Sequence, residues 1–190
     1  MEGSVQLMLP SKPLVKWKIV SHPYRRSYNK KKKAEWEVNQ NYCEEKVFRD
    51  LTYHSKLLLD LMDMSIFDFL IGNMDRHHYE RIISLGNETF PIHLDNGRAF
   101  GRPFQDEISI LEPLKQCCFL RYSTYNQLKY LYKNEFSKLL DESLKLDPLY
   151  PILTKDHLKS IDRRMLIIFN ELTKCIEKFS PAEVVIDDGY

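Results

Sequence analysis

The 190-residue sequence predicts one mainly α-helical domain with a small β-hairpin. Two observations carry that expectation. Apolar residues recur on a helical period over Ser55–Ile71 and again over Lys155–Phe179, and two short apolar runs, Arg81–Leu85 and Phe90–Leu94, flank the turn Gly86-Asn87-Glu88-Thr89. The length suits a single core and falls short of two well-buried ones. With 43% hydrophobic and 12% aromatic residues a core can form, and 29% charged residues supply a solvated surface, which excludes a disordered chain.

Residues 1–10 hold a short mixed run, Val5–Leu9, closed by Pro10 and readable as a strand or a linker. Residues 11–54 read as irregular and basic, because Pro13, Pro23 and the lysine run interrupt any period and leave room for a short helix around Lys31–Val38. Residues 55–104 begin with the most apolar helix, whose Leu58, Leu61, Met62, Ile66, Phe69 and Leu70 spread widely enough to imply burial on most sides, and Gly72-Asn73 ends it. The hairpin follows. Residues 105–190 are helical in pattern, with segments near Asp106–Cys117, Thr124–Tyr132, Asn134–Leu144 and Lys155–Phe179. The last is capped by Thr154 and carries the core stripe Leu158, Ile161, Met165, Ile168, Leu172 and Ile176.

A net charge of +1 argues against a nucleic-acid partner, although Arg25, Arg26 and Lys30–Lys33 concentrate positive charge that serves either as a solvated loop or as a contact for acidic groups. No apolar run reaches the roughly 18 residues of a membrane span, and no signal peptide opens the chain. Cys43, Cys117, Cys118 and Cys175 lack the paired spacing of a structural zinc site. Vicinal Cys117 and Cys118 would bridge each other only with strain, which leaves two pairings to distant partners. With the sequon Asn87-Glu88-Thr89 in an exposed turn, these cysteines point to an oxidising, secretory compartment. The missing signal peptide then suggests that further sequence precedes Met1.

The chemistry concentrates on either side of the hairpin, in Asn73-Met74-Asp75-Arg76-His77-His78-Tyr79-Glu80 and His93-Leu94-Asp95-Asn96-Gly97-Arg98. Protein kinases space their parts this way: a loop aspartate receives the acceptor hydroxyl's proton, a residue five positions on serves metal or nucleotide, and an aspartate beyond a hairpin holds the metal. The residues depart from the common pattern, since Asn73-Met74-Asp75 stands for His-Arg-Asp, Glu80 for the asparagine and Asp95-Asn96-Gly97 for Asp-Phe-Gly. Two other readings fit the same residues. Asp75 can cap a turn while Asp95 pairs with Arg98, or His77, His78, His93 and Asp95 can ligate the metal of a hydrolase.

The string Ile66–Glu80, together with His93–Arg98, Arg25–Tyr28, Lys32–Val38, Asp106–Leu111 and Gln116–Cys118, resembles the family-with-sequence-similarity-twenty secreted kinases, most closely their Golgi-casein-kinase branch. The resemblance implies the C-terminal lobe of an atypical kinase-like fold that uses ATP and manganese, or magnesium, to phosphorylate serines of secreted acidic proteins in the Golgi lumen. It implies Asp75 as base, Asp95 as metal ligand at the ATP phosphates and Glu80 at the nucleotide site. Gln6, Leu7, Met8 and Leu9 become the adenine-side hinge, and the disulfides become Cys43–Cys117 and Cys118–Cys175. If residues 6–9 are that hinge, the N-terminal lobe with its phosphate-binding lysine and metal-binding glutamate is absent, and Gly3, Gly72, Gly86, Gly97, Gly101 and Gly189 never cluster into a phosphate loop. The 190 residues alone are then expected to bind ATP weakly and to transfer no phosphate. The family also holds pseudokinases that activate a relative and a kinase of a proteoglycan-linker xylose, and these remain the rival readings.

Overall fold

The computed structural model describes residues 8–11, 14–29, 31–50, 52–53 and 55–189, without the side chains of Ser55, Asn87 and Glu88. Helix α1, Ser55–Ile71, is the central element. It packs between two apolar clusters: Leu57, Leu58, Leu61, Met62 and Met64 meet Tyr24, Trp36, Cys43 and Val47, while Ile66, Phe69 and Leu70 meet Leu111, Leu114, Met165, Ile168 and Leu172. Apolar residues on most sides are the sequence correlate of that position. The helix ends as its sequence dictates. Gly72 adopts φ +73°, its N–H donates to Phe69 O at 3.1 Å, and Asn73 N–H donates to Asp68 O at 2.8 Å. A side chain at residue 72 would also meet Arg164, whose Nη1 lies 2.8 Å from the position of a Cβ.

The small antiparallel sheet forms, but from other strands than the pattern suggests. Strand β1, Trp17–Ser21, pairs with β2, His78–Ile82, in the register Trp17 with Ile82 through Ser21 with His78. Residues 83–88 coil into a 3-10 segment in which Gly86 takes φ +55°, so they cannot extend the strand, and the returning chain touches β2 through the single bridge Glu80–Ile92. The run Trp17-Lys18-Ile19-Val20 has β-forming residues, yet Pro13 and Pro23 on either side disguise it as loop. The other described residues between 8 and 50 are irregular apart from a 3-10 turn at Glu35–Glu37, where the sequence left room for a short helix, and one π-helical turn at Cys43–Val47.

The C-terminal half follows the helical reading with shifted ends. A 3-10 turn, Ile108–Leu111, leads into α2, Glu112–Cys117, because Pro113 is accepted only in the first helical turn. Then come strand β3, Leu120–Arg121, and helices α3, Tyr122–Lys133, and α4, Phe136–Leu144. Helix α5, Lys155–Lys178, starts at Thr154, whose hydroxyl accepts from His157 N–H at 3.3 Å, and its stripe residues Ile161, Met165, Ile168 and Leu172 are buried. A short α6, Pro181–Val184, and strand β4, Val185–Ile186, parallel to β3, close the fold. Neither β3 nor β4 is visible in the sequence, since two-residue strands have no period. Among the described residues no helix is long and apolar enough to cross a membrane.

The vicinal cysteines take separate partners, Cys43 with Cys117 and Cys118 with Cys175. Cys118 caps α2 at φ +54°, and this left-handed residue turns the chain between the two thiols, aiming one at the segment before α1 and the other at α5. Both bridges lie within the two apolar clusters. The second closes a separation of 57 residues. On a chain-entropy account its removal in a Cys118→Ser, Cys175→Ser double variant lowers stability by about 4 kcal/mol. Urea unfolding under non-reducing conditions measures this, and a loss below about 1 kcal/mol contradicts it.

Candidate active site

The site is built where α1 ends. The helix delivers Asp68 and Asn73 into the interior, each 1% exposed, and a buried carboxylate must be paired. Arg76 supplies the pair: Nε donates to Asp68 Oδ2 and Nη2 to Asp68 Oδ1, both at 2.8 Å, a two-toothed contact between side chains that are almost wholly buried. The same guanidinium donates to the carbonyl of Leu94 and, at 2.6 Å, to Asn96 Oδ1. One side chain therefore ties together the end of α1, the loop 73–77 and the loop 94–96. Asp75 and Asp95, distant in sequence and on opposite sides of β2, ride on those two loops.

Asp75 is about one-third exposed. Its N–H donates to Asn73 Oδ1 at 3.3 Å, and the Tyr28 hydroxyl donates to its Oδ1. Arg98 Nε stands 3.6 Å from its Oδ2, so Arg98 faces Asp75. His77 donates from Nδ1 to the Asp75 carbonyl at 2.9 Å, which fixes the ring's tautomer. Asp95 is exposed and holds φ +56°, a left-handed backbone that L-residues adopt at a cost and that clusters at functional sites. Glu80, 8% exposed in β2, has its carboxylate 3.5 Å from His78 Nε2. His22, buried against this network, is pushed down to about 3 by desolvation and then by the Arg76 charge. It stays neutral, and its Nδ1 accepts from Tyr24 N–H at 3.1 Å.

The sequence-predicted residues are only partly assembled. Asp75 and Asp95 lie on loops joined by Arg76, and Glu80 lies in β2 between them, bridged to Ile92. Met8 and Leu9 are irregular, with Met8 81% exposed, while Gln6 and Leu7 lie outside the described residues, as does the side chain of Asn87. Among the described residues no group of three or more His, Cys, Asp and Glu could hold a metal, so the four-ligand hydrolase built on His77, His78, His93 and Asp95 lacks its site. Asp68, Arg76 and Tyr28 received no role from the sequence. A signal for Asp68 was present: it is the one charged residue in the run Ser65–Gly72, and an acid there demands a buried partner.

Beside Asp75 opens a cavity of about 450 Å³ lined by Met74, Gly97, Arg98, Gly101, Arg102 and Glu107. The segment from Asp106 is fastened at its far side. Arg163 Nε donates to Asp106 Oδ2 at 2.5 Å and Arg164 Nε to Oδ1 at 2.8 Å, and these two guanidiniums hold the Asp106 carboxyl below the usual carboxylate range against the upward pull of desolvation.

The fold is that of a kinase-like protein. A family model described as Golgi casein kinase, C-terminal, Fam20 matches residues 1–184, and the chain belongs to that family. It is 51% identical over 98% of its length to the extracellular serine/threonine protein kinase FAM20C of Homo sapiens, covering 32% of that protein. It is 45% identical over 98% of its length to the pseudokinase FAM20A of Mus musculus, covering 35%, and 41% identical over 99% to the glycosaminoglycan xylosylkinase of Homo sapiens, covering 46%. The crystal structure of the Golgi casein kinase with Mn/ADP bound superposes with a TM-score of 0.90 at 43% identity, over 95% of this chain and 44% of that one. The chain thus spans about a third to a half of the length of these relatives.

Proposed function

We propose that this chain carries the catalytic loop and metal-binding loop of a secretory-pathway serine/threonine protein kinase that moves the γ-phosphate of ATP to serines of secreted acidic proteins. The observation that supports it is the Arg76 tie, which sets the Asp75 loop beside the Asp95 loop. Phosphoryl transfer asks little covalent chemistry of a protein and much positioning, so two carboxylates on a shared rigid support suit it. Asp75 accepts the proton of the attacking hydroxyl. The names of relatives described as extracellular support a secreted protein, and the proposed passage through the Golgi lumen fits the two disulfides.

The relative solved with Mn/ADP makes manganese and ATP the proposed cofactors. Asp95 offers the hard oxygen that manganese or magnesium prefers, and such ions are commonly held by one or two carboxylates plus phosphate oxygens, so the lack of a three-residue protein cluster is compatible with the ion. Asp95 would hold the metal and Glu80 would border the nucleotide. The bound ion would neutralise charge on the phosphate oxygens.

The phosphate-gripping lysine and the second metal carboxylate are proposed to come from outside these 190 residues. The test joins the chain in frame to the part of human FAM20C that precedes the matching segment. With ATP and manganese the joined protein should label dephosphorylated casein and leave a xylose-bearing acceptor unlabelled, and the 190 residues alone should label neither. Labelling of the xylose acceptor by the joined protein would reassign it as a glycan kinase. Labelling of neither acceptor would favour a pseudokinase that supports an active relative.

A further inference from the structure

We propose that Tyr28 occupies the seat of the acceptor hydroxyl on Asp75 and gates acceptor entry. The inference rests on the reading of Asp75 as the base. A phenolic O–H donating to a carboxylate is the same contact that an acceptor serine must make before its proton leaves. Tyr28 already makes it, at Asp75 Oδ1. The other oxygen, Oδ2, faces the Arg98 guanidinium at 3.6 Å, and His77 Nδ1 stands 3.8 Å from Oδ1, so both carboxylate oxygens have neighbours. Of these, the Tyr28 hydroxyl is the group an incoming hydroxyl can replace like for like. One O–H to carboxylate bond is lost and another forms, so the exchange needs no unpaired charge.

The mounting of Tyr28 fits a gate. The chain before it is pinned on the far side of the site: Arg26 donates to Ser109 Oγ and stands 3.6 Å from Glu107, and Trp36 Nε1 donates to the Arg25 carbonyl at 2.8 Å. Tyr28 itself is 63% exposed, and its ring meets His77 edge-on at 6.4 Å between centroids. It can swing out without emptying the core while the anchors at Arg25 and Arg26 stay in place. A residue that merely oriented the base would be expected to sit buried and held from several sides, as Arg76 is.

The experiment uses the 190-residue chain and a short acidic peptide with one serine, and it needs no phosphate transfer. Binding of the peptide is measured for the native chain and for Tyr28→Phe, which keeps the ring and removes the competing hydroxyl. In parallel, chain labelled with ¹³C at tyrosine Cζ reports whether the Tyr28 phenol is hydrogen-bonded, with Asp75→Ala, which removes the accepting oxygens, giving the signal of the released phenol. The proposal expects Tyr28→Phe to bind the peptide roughly three- to tenfold more tightly, the equilibrium worth of one such bond. It also expects the peptide to move the Tyr28 resonance of the native chain toward the position seen in Asp75→Ala. Equal or weaker binding by Tyr28→Phe, including no measurable binding by either form, overturns it, as does a Tyr28 resonance that saturating peptide leaves in place. Casein labelling by the joined protein decides the kinase reading separately, so a failure of the gate and a failure of that reading show in different assays.

Discussion

Asp75→Asn, introduced into the joined protein described above, is expected to lower kcat for casein by about 10²- to 10⁴-fold, the range that a positioned general base contributes. The amide keeps the shape and the hydrogen bond from Tyr28 but cannot take the serine proton or balance the charge that develops as the hydroxyl attacks. The KM for ATP should hardly change, since Asp75 is assigned to the acceptor and Asp95 to the metal. Stability should also hold, because Asp75 is about one-third exposed and its backbone contact to Asn73 survives. Steady-state kinetics with ATP and casein varied separately provide the measurement. A variant within about tenfold of the parent would remove Asp75 from the role of base and leave it as the turn cap that the sequence also allows.

Arg76→Met should produce a large loss of stability. Its partner Asp68 is 1% exposed, and taking away one member of a buried pair strands the other without solvent or counter-charge, at about 3–5 kcal/mol. The change also cuts the links to Leu94 and Asn96, so the Asp95 loop loses its tie to the Asp75 loop. Asp68→Asn in the same molecule relieves the stranded charge. The double variant should therefore be less destabilised than the sum of the two single ones, which urea unfolding of all four forms resolves. Additive losses, or a loss under about 1 kcal/mol for Arg76→Met, would mean that water or another cation replaces the guanidinium.

How far the molecule was legible varied with the reach of each signal. Helices α1 and α5 were read nearly to the residue, because an apolar stripe of 17 or 24 residues repeats often enough to be seen and both had caps written in local residues, Gly72 for one and Thr154 for the other. The sheet was misplaced. The runs before and after Gly86 looked like a hairpin, but β2 gains its partner from Trp17–Ser21, some sixty residues earlier, and no local feature of either segment announces that pairing. Helix α2 began later than expected because Pro113 sets its first turn. The cysteine pairing was narrowed to two choices by the geometry of vicinal thiols, and the left-handed Cys118 is the device that separates them.

The site divides in the same way. The sequence by itself supplied the proposed reactive residues Asp75, Glu80 and Asp95, through a kinase-like spacing and the family resemblance that gives them roles. Only the tertiary structure decided that the Asp75 and Asp95 loops share one support, that Asp68 and Arg76 provide it, and that Tyr28 lies against Asp75. The physical reason is the one that hid the sheet. Spacing reports what neighbours along the chain can do, whereas a buried ion pair and a hydroxyl on a carboxylate join residues brought together by packing, and their cost or benefit exists only once water has been excluded around them.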